Sequence, residues 1–301
     1  MESKMKHITD ALSAYNITFR ENEDVTMRSS FKVGGIAALA VFPDSIEKLV
    51  AALRILNKGK MRFEVIGNAS NILFAFDRFD GALIFTSGIS SFEFNGNKVS
   101  ASCGVSLTYL AEQAARRSCS GLEFAYGIPA LVGGAVYMNA GAYGACVSDV
   151  LKTSLAYDLK NDCTLEIEDH GFGYRKSIYM QNEDLICLGA TFELEEGKES
   201  SIREKMTENM RSRKEKQPLE YPSAGSYFKR PPNNFAGKLI EDCGLKGMRV
   251  GDAEVSVKHA GFIINRGKAT YCDIIELEEK IKEIVMSRYG VLLEREVRLI
   301  K

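Results

Sequence analysis

The sequence predicts an α+β protein. Helical and strand-like segments follow one another irregularly, without the strand–helix alternation of a doubly wound sheet. Helices are marked by apolar residues at three- and four-residue spacing, and strands by short apolar runs bounded by Gly, Asn and Asp. At 301 residues, with 45% hydrophobic and 26% charged side chains, the chain has the length of two or three globular domains. That composition excludes disordered and collagen-like classes.

Taken in order, Met5, Ile8, Leu12 and Tyr15 share one helical face. A second helix has Asp44 as its expected cap, Glu47 three residues on, Gly59 past its end, and an inner face of Ile46, Leu49, Val50, Leu53 and Leu56. A strand over 62–66 runs into Gly67-Asn68-Ala69-Ser70-Asn71. Strands are expected over 82–86, 92–95 and 98–102, with Asn95-Gly96-Asn97 as a hairpin turn, then a helix over 107–118. An apolar glycine-rich stretch follows from Gly127 to Gly144. Further strands near 150–158, 163–168 and 185–194 lead to a charged helix over 199–217 with Ile202, Met206 and Met210 inside. Gln217-Pro218 and Tyr221-Pro222 read as a boundary, and the remainder gives helix 234–242, strand 260–264, helix 273–288 and strand 295–300.

The formal net charge is −1, which argues against a nucleic-acid binder. Residues 1–200 carry 19 basic and 25 acidic side chains, whereas residues 201–301 carry 20 and 15. The C-terminal third is therefore where an anionic ligand is sought, although from charge alone an uneven surface is the better account of the imbalance. Seven cysteines without a Cys-x-x-Cys pair and three histidines supply no zinc spacing, so no metal is expected. Scattered thiols fit a reducing compartment, where they act as small core residues. The N-terminus lacks an apolar signal segment, and the longest apolar run, about Ile36 to Phe42, is far short of the roughly 20 residues that span a bilayer. The expectation is a soluble, cytoplasmic protein with no membrane contact.

Several segments could carry chemistry. Gly67 to Asn71 ends a strand with small residues that let a phosphate approach backbone N–H groups, or it is simply a tight turn. The stretch 127–144 suits close packing, either against a flat ring system or between two crossing elements. Arg175, after Tyr174, could clamp a carboxylate or be an ordinary surface arginine. The segment Ser223 to Pro232 offers hydroxyls and two cations beside aromatics; Ser226 has no His-Asp system to make it a nucleophile but could deliver a proton. Glu294 and Glu296 would share one strand face, for which surface salt bridging is the plain explanation. His259, beside an apolar strand, reads as a structural histidine.

In this order and at these separations the segments resemble the UDP-N-acetylenolpyruvoylglucosamine reductase (MurB) family. The most specific matches are Val132 to Gly144, Gly173 to Ser177, Ala224 to Pro231, Phe235 to Gly247 and Lys258 to Asn265, within a likeness running from Ser29 to Arg298. The short spacing from Tyr143 to Tyr174 resembles the family's second type, which lacks a tyrosine-loop insertion. The resemblance implies a vanillyl-alcohol-oxidase/PCMH-type FAD-binding fold of two subdomains, 1–80 and 81–198, plus a C-terminal α+β substrate-binding domain, 199–301. It implies non-covalent FAD, NADPH as hydride donor and UDP-N-acetylglucosamine enolpyruvate as substrate, reduced to UDP-N-acetylmuramate by a monomer.

By the same resemblance Arg175, Ser226 and Glu296 are catalytic. Gly67, Asn68, Ala69, Ser70, Asn71, Pro129, Leu131, Gly133, Gly134 and Asn139 bind the cofactor. Tyr174, Lys214, Lys216, Lys229 and Arg230 bind substrate. The chain departs from the family's pattern at Ala69 and Ala130, where glycines are usual, and at Ala145-Cys146, where an acidic residue is common. If Ala69 takes a positive φ, it costs about 1 kcal/mol. Two other readings are a sugar or alcohol oxidase on the same flavin fold and a flavin- or UDP-sugar-binding protein without turnover. Retention of all three catalytic residues disfavours the latter, and the C-terminal segments disfavour the former.

Overall fold

The computed structural model describes residues 2–301, and the chain divides into two compact units. Of the described residues, the first comprises 2–23, 38–68 and 80–211, and the second 24–37, 69–79 and 212–301.

In the first unit, helices α1 (Glu2–Ala14) and α2 (Ile46–Lys58) bury Ile8, Leu12, Leu49, Leu53 and Leu56 with Leu39, Val41 and Ile84. The last three lie on a four-stranded sheet ordered Thr18–Asp24, Ile36–Phe42, Arg78–Phe85, Phe63–Ile66. Ser45, rather than Asp44, caps α2: its hydroxyl accepts the Lys48 N–H, while Asp44 reaches the Lys48 ammonium instead. Tyr15 falls beyond α1 and is exposed.

A five-stranded sheet follows the order Cys163–Ile167, Leu151–Asp158, Leu185–Glu193, Lys98–Ser102, Phe92–Asn95, with every neighbour antiparallel. The expected hairpin is present, with Asn95 paired to Lys98 and Gly96 at φ +60°. Packed in the same core are residues of α3 (Leu107–Ala115), α4 (Val132–Met138), α5 (Ile178–Gln181) and α6 (Glu199–Lys216). Helix α4 was not evident in the sequence, because two adjacent glycines oppose helix formation. It is held from outside: the N–H groups of Val132 and Gly133 bond the carbonyls of Val105 and Cys103, and a Cβ at Gly133 would lie 2.9 Å from that of Cys103.

The second unit contains α7 (Ala236–Asp242) and α8 (Tyr271–Tyr289), the latter closed by a Thr270–Asp273 capping box and by Gly290 at φ +67°. Ile274, Leu277, Ile281 and Val285 of α8 share a core with Phe31, Leu73, Tyr227, Phe228 and Leu239. A three-stranded antiparallel sheet runs Arg249–Val250, Ala253–Val255, Ile263–Asn265. The strand expected over 260–264 starts late because residues 256–259 turn on the Ser256 hydroxyl, which accepts the N–H groups of Lys258 and His259. Only Arg298–Ile300 of the expected final strand forms a ladder, and its partner is distant in sequence: it runs parallel to Ile72–Phe74.

Among the described residues, all seven cysteines are free. Cys103 and Cys119 are buried, but Cys163 and Cys272 are exposed, so the core-thiol expectation holds for only some of them. No helix among the described residues is long and apolar enough to cross a membrane.

Candidate active site

In the first unit Gly67 and Asn68 lie against residues 129–131. A Cβ at Gly67 would come within 3.7 Å of the Leu131 side chain, and the Asn68 amide donates to the Pro129 carbonyl at 2.8 Å. Beyond Leu131, α4 begins with Gly133 pressed onto Cys103 and Gly134 facing space: a Cβ there would meet no heavy atom within 4 Å. The glycine pair thus does two jobs, one packing inward and one leaving open backbone. Such a surface fits a large flat group that must approach the main chain closely, as a flavin dinucleotide does.

Helix α4 ends at Asn139, left-handed at φ 42°. Its amide is fully used within the protein: Oδ1 accepts the Ser148 N–H at 3.0 Å, and Nδ2 donates to the Ser148 hydroxyl and, at 3.1 Å, to the Gly173 carbonyl. The last bond ties down the loop that carries Arg175, itself left-handed at φ 52°. Arg175 Nη1 reaches the Asn139 carbonyl at 3.5 Å, and its guanidinium lies 5.2 Å from the ring centroid of exposed Tyr174. The loop is pinned again by Ser177, whose hydroxyl donates to the Tyr137 carbonyl at 2.6 Å. Buried His170, stacked on Phe172, shares a hydrogen bond with Ser154, which also bonds Tyr179. Burial pushes the His170 pKa down, against the bond to the Glu168 carbonyl and the nearby Asp169 charge.

In the second unit Ala69 does adopt φ 47°, realising the conditional cost attached to it, and its carbonyl accepts both the N–H and the hydroxyl of Ser30. Asn71 donates its amide to the Glu296 carbonyl at 3.2 Å, and its own carbonyl accepts the Arg298 N–H at 3.0 Å. Ser226 and Glu296, far apart in the chain, lie on adjoining segments. The Glu296 N–H donates to the Tyr227 carbonyl at 2.9 Å, the Lys229 N–H to the Glu294 carbonyl at 2.8 Å, and Phe228 and Arg295 form an antiparallel bridge. Ser226 is exposed beside fully buried Tyr227.

The basic candidates are less concentrated. Lys214 and Lys216 are exposed near the end of α6, Lys229 pairs with Glu294 at 3.2 Å, and Arg230 lies 4.6 Å from the Phe235 ring centroid. The Glu294 pair is the surface salt bridge that simple alternation suggested. His259 is structural: its Nδ1 accepts the Gly261 N–H, and it packs edge-on against Phe262.

One residue at this site went unnoticed in the sequence. Glu278 of α8 is 0% exposed, and its Oε2 accepts both the Tyr227 hydroxyl at 2.8 Å and Arg295 Nε at 2.7 Å. Lys282 meets its other oxygen at 2.5 Å. Burial alone would push the Glu278 pKa up, but the bonds from Arg295 and Tyr227 and the Lys282 ion pair outweigh that and hold it below the usual carboxylate range. The available signal was an acid among Ile274, Leu277 and Ile281 on an otherwise apolar helix face.

Comparison with known proteins places these features in one family. Residues 217–300 match the UDP-N-acetylenolpyruvoylglucosamine reductase C-terminal domain, and residues 37–157 match an FAD binding domain. The chain is 44% identical over 292 residues to UDP-N-acetylenolpyruvoylglucosamine reductase of Caldicellulosiruptor saccharolyticus, covering 96% of this chain and 94% of the relative. It is 45% identical over 273 residues to that of Clostridium novyi, covering 90% and 89%. The crystal structure of UDP-N-acetylenolpyruvylglucosamine reductase from Thermus caldophilus superposes with a TM-score of 0.80 at 32% identity, over 95% of this chain and 99% of that one.

Proposed function

The chain belongs to the UDP-N-acetylenolpyruvoylglucosamine reductase family, and from that premise we propose that it reduces UDP-N-acetylglucosamine enolpyruvate to UDP-N-acetylmuramate with NADPH, in the cytoplasm. It is an FAD-dependent oxidoreductase of peptidoglycan precursor synthesis. In this reading residues 1–80 and 81–198 hold the flavin non-covalently, and 199–301 take the UDP-sugar. Gly67 to Asn71, with Pro129, Leu131, Gly133 and Gly134, would hold FAD. Asn139 contributes through the helix end it caps, since its amide is already engaged.

The chemistry that FAD supplies when bound is two-electron transfer, hydride taken from NADPH and delivered to the enolpyruvyl methylene carbon. The residues of the chain manage the charge and the proton. As the methylene carbon gains hydride, negative charge grows on the neighbouring carbon and its carboxylate. Arg175 offers a guanidinium to that carboxylate. Glu296 shares with Arg175 the stabilisation of that enolate. Ser226 gives its proton to the carbanion; a serine is a weak acid, but the carbanion is a strong base. Tyr174, Lys214, Lys216, Lys229 and Arg230 take the remainder of the substrate, its diphosphate above all.

The observation that most supports this assignment is the joining of the Ser226 and Glu296 segments by the Glu296 N–H to Tyr227 carbonyl bond. NADPH oxidation that requires the enolpyruvyl substrate tests the reading. Rapid oxygen consumption with an alcohol would indicate an oxidase instead, and absence of both a binding protein. Removing the charges of Lys214, Lys216, Lys229 and Arg230 together should raise the KM for the UDP-sugar; an unchanged KM would remove that assignment.

A further inference from the structure

A carboxylate buried within an apolar helix face is not needed for packing. Replacing a buried ion pair by apolar groups of similar volume is often neutral or stabilising, so packing alone does not account for such a group. Glu278 is fully buried between Ile274, Leu277 and Ile281, and besides Lys282 of its own helix it receives partners from two other segments. Tyr227, the residue after Ser226, and Arg295, the residue before Glu296, both bond the same oxygen, at 2.8 and 2.7 Å. The backbone connection between those segments is short, resting on the bonds from Glu296 N–H to the Tyr227 carbonyl and from Lys229 N–H to the Glu294 carbonyl. Asn71 fixes the far side of the Glu296 segment by donating its amide to the Glu296 carbonyl.

We propose that Glu278 is a positioning residue that sets the spacing of Ser226 and Glu296, through the Tyr227 hydroxyl and the Arg295 guanidinium on one carboxylate oxygen. The inference rests on the catalytic reading of Ser226 and Glu296. Each anchor lies next in sequence to a reacting side chain, so a shift of either anchor moves that side chain directly. A displacement near 1 Å in such a pair costs on the order of 100-fold in rate.

The test uses full-length, FAD-loaded protein carrying Glu278→Gln or Tyr227→Phe, the second removing one hydroxyl while keeping the ring. Flavin reduction by NADPH and reoxidation by the enolpyruvyl substrate are followed separately under anaerobic conditions. Expected are a loss of about 10- to 100-fold in reoxidation, less than about 2-fold in reduction, and a double variant scarcely slower than Glu278→Gln alone. Hydrogen exchange without substrate should show faster exchange at the Tyr227 and Glu296 amides in both variants, but not in Glu276→Gln, which alters an exposed pair on the same helix. Reoxidation at the wild-type rate in Tyr227→Phe, equal slowing of both half-reactions, or unchanged exchange at those amides would each overturn the proposal. If Glu278→Gln does not fold, Tyr227→Phe carries the same decision. A wild-type enzyme that does not turn over the enolpyruvyl substrate would sink the functional reading, while the exchange result would still judge the clamp.

Discussion

The loop carrying Arg175 and the segments carrying Ser226 and Glu296 are held by different physics. Around Arg175 the bonds are neutral and spread out: Asn139 to Gly173, Ser177 to Tyr137, Ile178 to His170, and His170 to Ser154. Around Ser226 and Glu296, beside the Asn71 amide on the Glu296 carbonyl, the neighbours of both residues are anchored on one buried carboxylate, Glu278, with two cations. A neutral bond contributes about 1 kcal/mol, and losing one leaves the others in place. A buried ion network concentrates the dependence, because removing one partner leaves an uncompensated charge in the core. The first region should therefore yield gradually to substitution and the second abruptly.

Several measurements can break or sharpen this contrast. The largest effect is expected at the reacting group itself. Ser226→Ala should slow the second half-reaction by about 10²- to 10⁴-fold and leave flavin reduction by NADPH nearly intact, as read by anaerobic rapid mixing. Equal slowing of both halves would assign Ser226 a structural role. Next, Arg295→Ala should destabilise the protein by on the order of 3 kcal/mol in chemical denaturation, since Glu278 keeps only Lys282 as a charged partner. A loss below about 1 kcal/mol would mean that the two regions are held alike.

Smaller effects are expected around Arg175. Asn139→Ala removes the amide bonds and forces an alanine into left-handed backbone, for a cost of about 2 kcal/mol; Asn139→Gly should recover about half of it. Equal losses would show that backbone strain contributes nothing there. The smallest signature is in pH. The lowered His170 pKa means that the unfolded chain binds the proton first, so its contribution is complete above about pH 6.5 and declines as pH falls below that. The lowered Glu278 pKa places its loss further down, below about pH 4.3. His170→Gln should flatten the upper part of the stability–pH curve, though only partly, because the His259 pKa is lowered by burial too. A curve unchanged between pH 7 and 5 would contradict the role given to His170.

Much of this was legible in the sequence where the signal is local. The strands of the five-stranded sheet alternate between faces, and α2 and α8 carry apolar stripes, so each is visible in a window of its own length. Arg175, Ser226 and Glu296 lie in motifs that the sequence displays, whereas the supports beneath them do not. Helix α4 exists because Cys103 and Val105 accept its first N–H groups, which no window around 132–138 contains. The pairing of Arg298–Ile300 with Ile72–Phe74 is equally remote. Asn139 looked like a ligand residue; its left-handed backbone and inward amide bonds depend on loops that the spacing alone cannot place. Glu278 was visible as an acid in an apolar stripe, but its partners were not.

The second unit is assembled from three separate stretches of chain, with Phe31 and Leu73 in one core with α8 and the final strand laid beside Ile72–Phe74. During synthesis the two early stretches cannot complete that core until residues 212–300, which supply α8 and the strand beside Ile72–Phe74, have emerged. That lobe therefore closes only after the long-range pairing is made, and the interval before it leaves its early apolar side chains open to aggregation.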